Sequence, residues 1–404
     1  MPDIEALNAV AAADIQAVNG VAKADTQAIN GVGIAASGAS YWAVCLDDAQ
    51  TSWAAHADIA SESDWATNVW NTYGESGSVD TVDIAYGKDG SGNPIFATIS
   101  NATGNNVWMD QNNDITDGSS WSRSSIASGA KRLSILWGND VWVSVGKMGN
   151  EELDRSTDGG ANWTAIDISG LTNISSTIDI TALASDGGDN WMFGQAANLY
   201  FSSDNGASWA FLIQPEGTGK TIYDIVFTNN TWVVLYKGSG TQSRIITCPA
   251  STAANMDATS DWGTAQLLEG AVYIDQTGND AGSTALNGNI TKRMAAAGGR
   301  VVVLQQGLAS NNMARTTAAD VNGKTCTLEN VIVHVPLAEG NANCIATDGT
   351  VWIIGGDGSD TGRDGGTLAR STNGGDSWAL IVEGINNTTS TTVNGIAPNV
   401  YLPL

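Results

Sequence analysis

Apolar residues in this chain fall in short runs separated by Asn, Asp, Gly and Ser, a rhythm that predicts strands joined by tight turns. The clearest runs follow a turn and mix aromatic with β-branched residues: Pro94-Ile95-Phe96, Val141-Trp142-Val143, Trp191-Met192-Phe193, Trp232-Val233-Val234, Val301-Val302-Val303, Val351-Trp352-Ile353 and Val400-Tyr401-Leu402. A strand of smaller residues precedes most of them, as in Asp83-Ile84-Ala85-Tyr86, Thr181-Ala182-Leu183-Ala184, Asp224-Ile225-Val226-Phe227, Cys344-Ile345-Ala346 and Gly395-Ile396-Ala397. Small side chains suit the innermost strands of a ring, which crowd around its axis. From residue 40 the period is about 40 to 70 residues, that of propeller blades with loop insertions.

A second repeat sits at the turns. Ser156-Thr157-Asp158-Gly159-Gly160-Ala161-Asn162-Trp163 recurs as Ser202-Ser203-Asp204-Asn205-Gly206-Ala207-Ser208-Trp209, and with Asn373 for Asp as Ser371-Thr372-Asn373-Gly374-Gly375-Asp376-Ser377-Trp378. The pattern S-x-D-x-G-x-x-W suits a hairpin: the carboxylate caps backbone donors, Gly supplies a positive φ and Trp packs beneath. Asn255 to Trp262 keeps Asp257 and Trp262 and loses the Gly, Asp114 to Trp121 keeps Gly and Trp, and around Thr316 the motif dissolves. These octapeptides resemble the Asp-box of bacterial-neuraminidase-like repeats, found in sialidases, sortilin-type receptors, some xyloglucanases and photosystem assembly factors. The resemblance implies a β-propeller and leaves the function open, since those families share a fold and no task.

The last unit, Val393 to Leu404, supplies two strands and then stops, and its missing half is expected at the other end. Aligning Ala43 onward with Leu199 to Trp209 places Asp48 and Trp53 at the box positions. The expected architecture is all-β: a seven-bladed propeller over residues 37–404, closed by N- and C-terminal strands that share a blade.

Ahead of it, residues 1–36 carry an eleven-residue repeat, Asp3-Ile4-Glu5-Ala6-Leu7-Asn8-Ala9-Val10, Asp14-Ile15-Gln16-Ala17-Val18-Asn19-Gly20-Val21 and Asp25-Thr26-Gln27-Ala28-Ile29-Asn30-Gly31-Val32. The expectation is an extended arm of short helical turns punctuated by Asn-Gly turns. So thin a segment has no core, so Ile4, Leu7, Ile15, Val18, Ile29 and Val32 must dock on symmetry mates or on a neighbouring protein. The repeat resembles N-terminal segments of tailed-phage structural proteins, which precede a larger exposed domain.

Composition narrows the chemistry. The 42 acids against 17 bases give a formal charge of −25, which argues against nucleic-acid partners. Gly 47 and Trp 15 fit many short strands and tight turns. Cys45, Cys248, Cys326 and Cys344 follow no metal or redox spacing and read as buried thiols. Neither a membrane-spanning run nor a basic leader is apparent, and no membrane insertion is expected. A polar, lysine-poor body without a leader fits a particle assembled in host cytoplasm and released by lysis.

No catalytic constellation stands out. The arginine-rich motif that a sialidase needs is missing, and Arg155, Arg315 and Arg370 sit at one equivalent position before each box, which points to structural pairing. With His56 and His334 the only histidines, a His-based triad or zinc site is disfavoured. No catalytic, cofactor or metal residue is therefore assigned, and no cofactor is expected. The insertions at 56–80 and 239–290 are candidate ligand loops, the first through Trp65, Trp70 and Tyr73.

The leading expectation is a non-enzymatic virion protein (fibre, tail or capsid decoration) that contacts other virion proteins through the arm, forms a homo-oligomer and displays the propeller to a host-surface glycan. The alternatives are a sialidase- or xyloglucanase-like glycoside hydrolase on the same scaffold, and an intracellular assembly factor.

Overall fold

In a computed structural model of the chain, the apolar runs become strands. The structure describes residues 81–100, 132–146, 152–237, 243–250, 252–267, 293–304, 342–356, 366–385 and 392–400 continuously. It also describes shorter runs at 41–46, 50–55, 107–110, 121–124, 311–316, 321–326 and 328–335, residues 59–60, 65 and 126, and four two-residue strands between 17 and 33.

Each apolar run pairs with its neighbour in sequence because tight turns bring them antiparallel. The first sheet holds Thr81–Lys88, Pro94–Ser100, Val107–Asp110 and Trp121–Ser124; the second Arg132–Gly138, Val141–Gly146, Glu152–Ser156 and Thr164–Asp167; the third Ile180–Ser185, Trp191–Gln195, Asn198–Ser202 and Ala210–Ile213. The fourth holds Thr221–Thr228, Thr231–Lys237, Ser243–Pro249 and Gln266–Leu267; the fifth Met294–Ala297, Arg300–Leu304, Asn311–Thr316 and Leu328–Val335; the sixth Ala342–Thr347, Trp352–Gly356, Gly366–Ser371 and Ala379–Ile385. The seventh is Val393–Pro398, Tyr41–Leu46 and Gln50–Ala55.

The chain is an all-β propeller. The first strand of each sheet packs beside the first strand of the next, and Val393–Pro398 packs against both Ala342–Thr347 and Thr81–Lys88, which makes the circuit closed. Among the described residues five blades are found where the sequence predicts seven. The sheet order accounts for the difference, since the fourth sheet's outer strand is two residues long and the seventh sheet has three strands among the described residues.

The seventh sheet also corrects the closure expected from sequence. Val393–Pro398 pairs directly with Tyr41–Leu46 (Ala397 opposite Ala43, Ile396 opposite Val44), which in turn pairs with Gln50–Ala55. Tyr41–Leu46 is thus a second strand, not a third, and among the described residues the C-terminal segment supplies one strand, Val393–Pro398; Tyr401 and Leu402 lie outside them. Asp48 falls in the connection between second and third strands and lies outside the described residues, and Trp53, opposite Ala43, belongs to a third strand. The box alignment was one hairpin out of phase, because an aromatic match alone does not say which hairpin it belongs to.

A register shift recurs at the start of the first strand in six sheets, between Thr81 and Asp83, Arg132 and Ser134, Ile180 and Ala182, Ile222 and Asp224, Ala342 and Cys344, and Val393 and Gly395. Such bulges sharpen the local twist and turn the next side chains toward the axis. The core lies between successive sheets: Trp163, for example, packs with Ile95, Val107 and Met109 of the first sheet and Ile135 of its own. The four cysteines are buried thiols outside any disulfide, as their spacing suggests.

In the N-terminal repeat, Ala17–Val18 pairs with Val21–Ala22 and Ala28–Ile29 with Val32–Gly33. The expected helical turns are therefore hairpins here. Asn-Gly joins each pair, and the two positive-φ positions of a two-residue hairpin loop suit that dipeptide better than any helix does. Val18, Ile29 and Val32 are strand residues; Ile4, Leu7 and Ile15 lie outside the described residues.

Candidate functional site

The seven first strands surround an axial channel, with small residues such as Ala85, Ala184, Ala296, Ala346 and Ala397 among its lining. Its wall runs through Ile84 to Tyr86, Leu136 and Trp137, Leu183 and Ala184, Asp224 to Val226, Met294 to Ala296, Ile345 to Thr347, and Ile396 to Pro398 with Val400, enclosing a cavity of about 170 Å³. Nearly every lining group is apolar.

Where the first strands begin, polar side chains tie neighbouring sheets together. Asp83, 0% exposed, accepts hydrogen bonds from its own strand's Ile84 amide (2.8 Å) and from the second sheet's Ile135 amide (3.0 Å) and Ser134 hydroxyl (2.9 Å). Asp224, 3% exposed, repeats the arrangement between the fourth and fifth sheets: the Ile225 amide donates at 2.8 Å, Arg293 at 2.6 Å and Met294 at 2.7 Å. The bulged residues add further bonds. The Thr181 hydroxyl donates to the Ile222 carbonyl (2.6 Å), and the Asn394 amide donates to the Thr81 carbonyl (2.8 Å) across the closure. Arg132 and Asp154 form a fully buried ion pair within the second sheet. The buried Arg293 guanidinium lies 4.7 Å over the Tyr223 ring.

At the opposite end, Tyr86 packs against Phe96 (5.1 Å) and the Lys88 ammonium sits 5.5 Å from the Trp137 ring centre. Burial pushes the Tyr86 hydroxyl up to about 12, so it stays a neutral phenol. Buried Asp83, Asp154 and Asp224 are thus engaged with amides or with a guanidinium. A general acid or base needs a carboxyl free to exchange its proton with a substrate, and these are not placed for that.

The octapeptide turns lie farther out. In Ser156 to Trp163 the Asp158 carboxylate accepts the Asn162 amide (2.8 Å) and the Ser156 hydroxyl (2.8 Å), the Gly160 amide donates to Ser156 Oγ (2.9 Å), and Trp163 Nε1 donates to the Gly160 carbonyl (3.0 Å). The same set recurs around Asp204 and Trp209 and around Asn373 and Trp378. Two consecutive residues take positive φ in each, Gly159-Gly160, Asn205-Gly206 and Gly374-Gly375, which is why Gly is fixed in the pattern.

Each turn also leans on the preceding sheet. The Ser124 hydroxyl of the first sheet donates to the Gly160 carbonyl (2.6 Å), Arg155 Nε of the second donates to the Asn205 carbonyl (2.8 Å), and Arg300 of the fifth donates to the carbonyls of Asn373 and Gly374 (3.2 and 3.0 Å). Arg155 is therefore a structural clamp, as its position before the motif suggests. The Arg315 side chain lies outside the described residues.

Two eroded turns keep the docking by other means. In the fourth sheet Trp262 is buried and donates to the Met256 carbonyl (2.9 Å), but Asp257 is exposed and the capping passes to Asp261, which accepts the Ala258 amide (3.0 Å). Asp257 is thus not the capping residue, because two short 3₁₀ turns, Ala253–Asn255 and Thr259–Asp261, replace the hairpin. In the fifth sheet the loop 321–326 fits on the fourth sheet's turn, with Asn229 Nδ2 donating to the Val321 carbonyl (2.9 Å) and the Gly323 amide to Thr231 Oγ1 (2.8 Å).

Of the candidate ligand-loop residues, Trp65 is 4% exposed and packs with Trp42, Ile59 and Val393, so it is a core residue. Trp70 and Tyr73 lie outside the described residues. Sequence reasoning missed Asp83 and Asp224; both stand in an Asp-Ile pair just after the bulge of a first strand, but the same dipeptide recurs at Asp167-Ile168 and Asp179-Ile180 and does not mark the role.

No family model and no curated protein matches the chain. Among solved structures it is similar to YCF48 from Cyanidioschyzon merolae, with 14% identity, 79% of this chain and 94% of that one covered, and a TM-score of 0.48. It is also similar to the GH74 xyloglucanase from Xanthomonas campestris (14% identity, 75% of this chain and 45% of that one, TM-score 0.48) and to the Dos1 propeller (16% identity, 76% and 72%, TM-score 0.45). At these identities the likeness is one of propeller fold and extends no further.

Proposed function

We propose that the chain is a non-enzymatic structural protein of a tailed-phage particle, a fibre, tail or capsid decoration, attached through its N-terminal repeat and displaying the propeller outward to a host-surface glycan. The observation that carries the non-enzymatic half is that Asp83 and Asp224, near the starts of first strands, and Asp154, in a third strand, are held by amides, a hydroxyl or a guanidinium, whereas glycoside hydrolysis uses a pair of carboxyls that face the substrate. Attachment is supported by the repeat itself. A hairpin with two residues per strand is too short to be stable alone, so each gains its stability from what it pairs with, other copies of the chain or other particle proteins. The resemblance of that repeat to segments of phage structural proteins supports a partner in a virion. The acidic surface, from a net charge of −25, suits a neutral glycan better than a polyanion.

The test is incorporation. Purified particles from a producing culture should contain the wild-type chain at fixed stoichiometry and should lose a Val18→Asp, Ile29→Asp, Val32→Asp variant whose propeller melts at the wild-type temperature. Particles devoid of the wild-type chain, or turnover of a polysaccharide by the purified protein, would contradict the reading.

A further inference from the structure

The axial channel has a chemistry that the display role does not use. Its cavity of about 170 Å³ is walled by all seven first strands, with Ala184, Ala296 and Ala346 leaving the room that Ile84, Leu183 and Ile345 bound. The one carboxylate in the wall, Asp224, already accepts three backbone amides, so water inside finds few partners. The channel opens to solvent, but its mostly apolar wall offers water few partners, so a neutral apolar guest of fitting size that displaces that water is favoured. A charged guest would leave its hydration shell for a wall with no free counter-charge. Half-buried Tyr86, Pro398 and Val400 form one mouth, through which a guest can pass.

We infer that the channel is a binding site for one small, neutral, apolar molecule, an aromatic ring or short alkyl chain of about six or seven heavy atoms. The guest completes the core along the axis, touching the first strands of sheets that otherwise pack only against their ring neighbours. Because it touches all seven first strands, it binds the closed ring and not the open one. The site is independent of the display role and would stand if that role failed.

The experiment is a titration of the full-length protein with toluene, followed by methyl resonances of isoleucine-labelled protein, with benzoate and benzylammonium as charged counterparts. Toluene should give saturable shifts at Ile84, Ile225, Ile345 and Ile396, and the two ions should give none. Ala346→Leu, which fills the cavity from a half-buried position, should keep the wild-type melting temperature and weaken toluene binding at least tenfold; Ala346→Val is the smaller alternative should the leucine disturb folding. No saturable shift up to the solubility limit of toluene, equal binding of the ions, or undiminished affinity in a folded Ala346 variant would overturn the site.

Discussion

Asp224 at the axis and Asp204 at the rim both accept backbone amides, but from partners at very different distances along the chain. Besides its neighbour Ile225, Asp224 draws on the Arg293 and Met294 amides, 69 and 70 residues away, whereas Asp204 draws on the Ser202 hydroxyl and the Ser208 amide, two and four residues away. The rim carboxylate shapes a turn that can form before anything else has folded; the axial one gains its partners only when two sheets are already side by side. Local turn chemistry therefore defines each blade, and buried nonlocal bonds define how blades meet.

That contrast sets an order of mutational cost. Asp224→Ala strands three buried amides and should cost about 5 kcal/mol in urea denaturation, enough to threaten the fold. A cost below about 1 kcal/mol would mean the axial carboxylates do not join the sheets. Trp209→Ala, which removes a buried ring 4.8 Å from Phe193, should cost about 3 to 4 kcal/mol through the cavity it leaves. Asp204→Ala, at an exposed position where the backbone amides can turn to water, should cost about 1 kcal/mol.

The rim turns should also titrate. Burial works to raise Asp158 and Asp204, but hydrogen bonds from Asn162 and Ser156, and from Ser208 and Ser202, outweigh it and hold both below the ordinary aspartate value of 3.8. A carboxyl depressed in the folded state stabilises it fully above the unfolded value and loses that contribution as pH falls through the folded value. Melting temperature should thus fall below about pH 4, and Asp204→Asn, which copies the turn at Asn373, should make that acid limb shallower. The smallest effect is expected from Asn373→Asp. The new carboxylate would accept the Ser377 hydroxyl as Asp204 accepts Ser208 (2.5 Å), and it would stand near Arg300, a gain of a few tenths of a kcal/mol.

The same division explains what could be read from sequence. The octapeptides at Asp158, Asp204 and Asn373 are legible because the bonds that shape each turn lie within eight residues, although the bonds that seat it on the preceding sheet do not. The axial network was not: nothing near Asp83 announces that Ser134 and Ile135 will donate to it. The N-terminal repeat was misread because its apolar spacing allows a helical face, while Asn19-Gly20 and Asn30-Gly31 select a hairpin. Trp65 reads from sequence as a candidate ligand-loop residue because it sits in a long insertion, and its burial against Trp42 is a tertiary fact. The closing sheet was placed at the correct chain ends but one hairpin out of phase, since strand order within a sheet depends on pairing that composition does not encode.

Closure itself can be tested with one substitution. A Cβ built on Gly395 would lie 2.9 Å from the Cys45 sulfur, close to the separation across a disulfide, though the neighbouring backbone of Asp83 and Ile84 must give by a few tenths of an ångström. Oxidised Gly395→Cys protein should therefore carry a bond between its two chain ends, running faster than the reduced form on a denaturing gel and resisting alkylation at both thiols. Equal mobility with both thiols open to alkylation would show that Tyr41–Leu46 and Val393–Pro398 do not share a sheet.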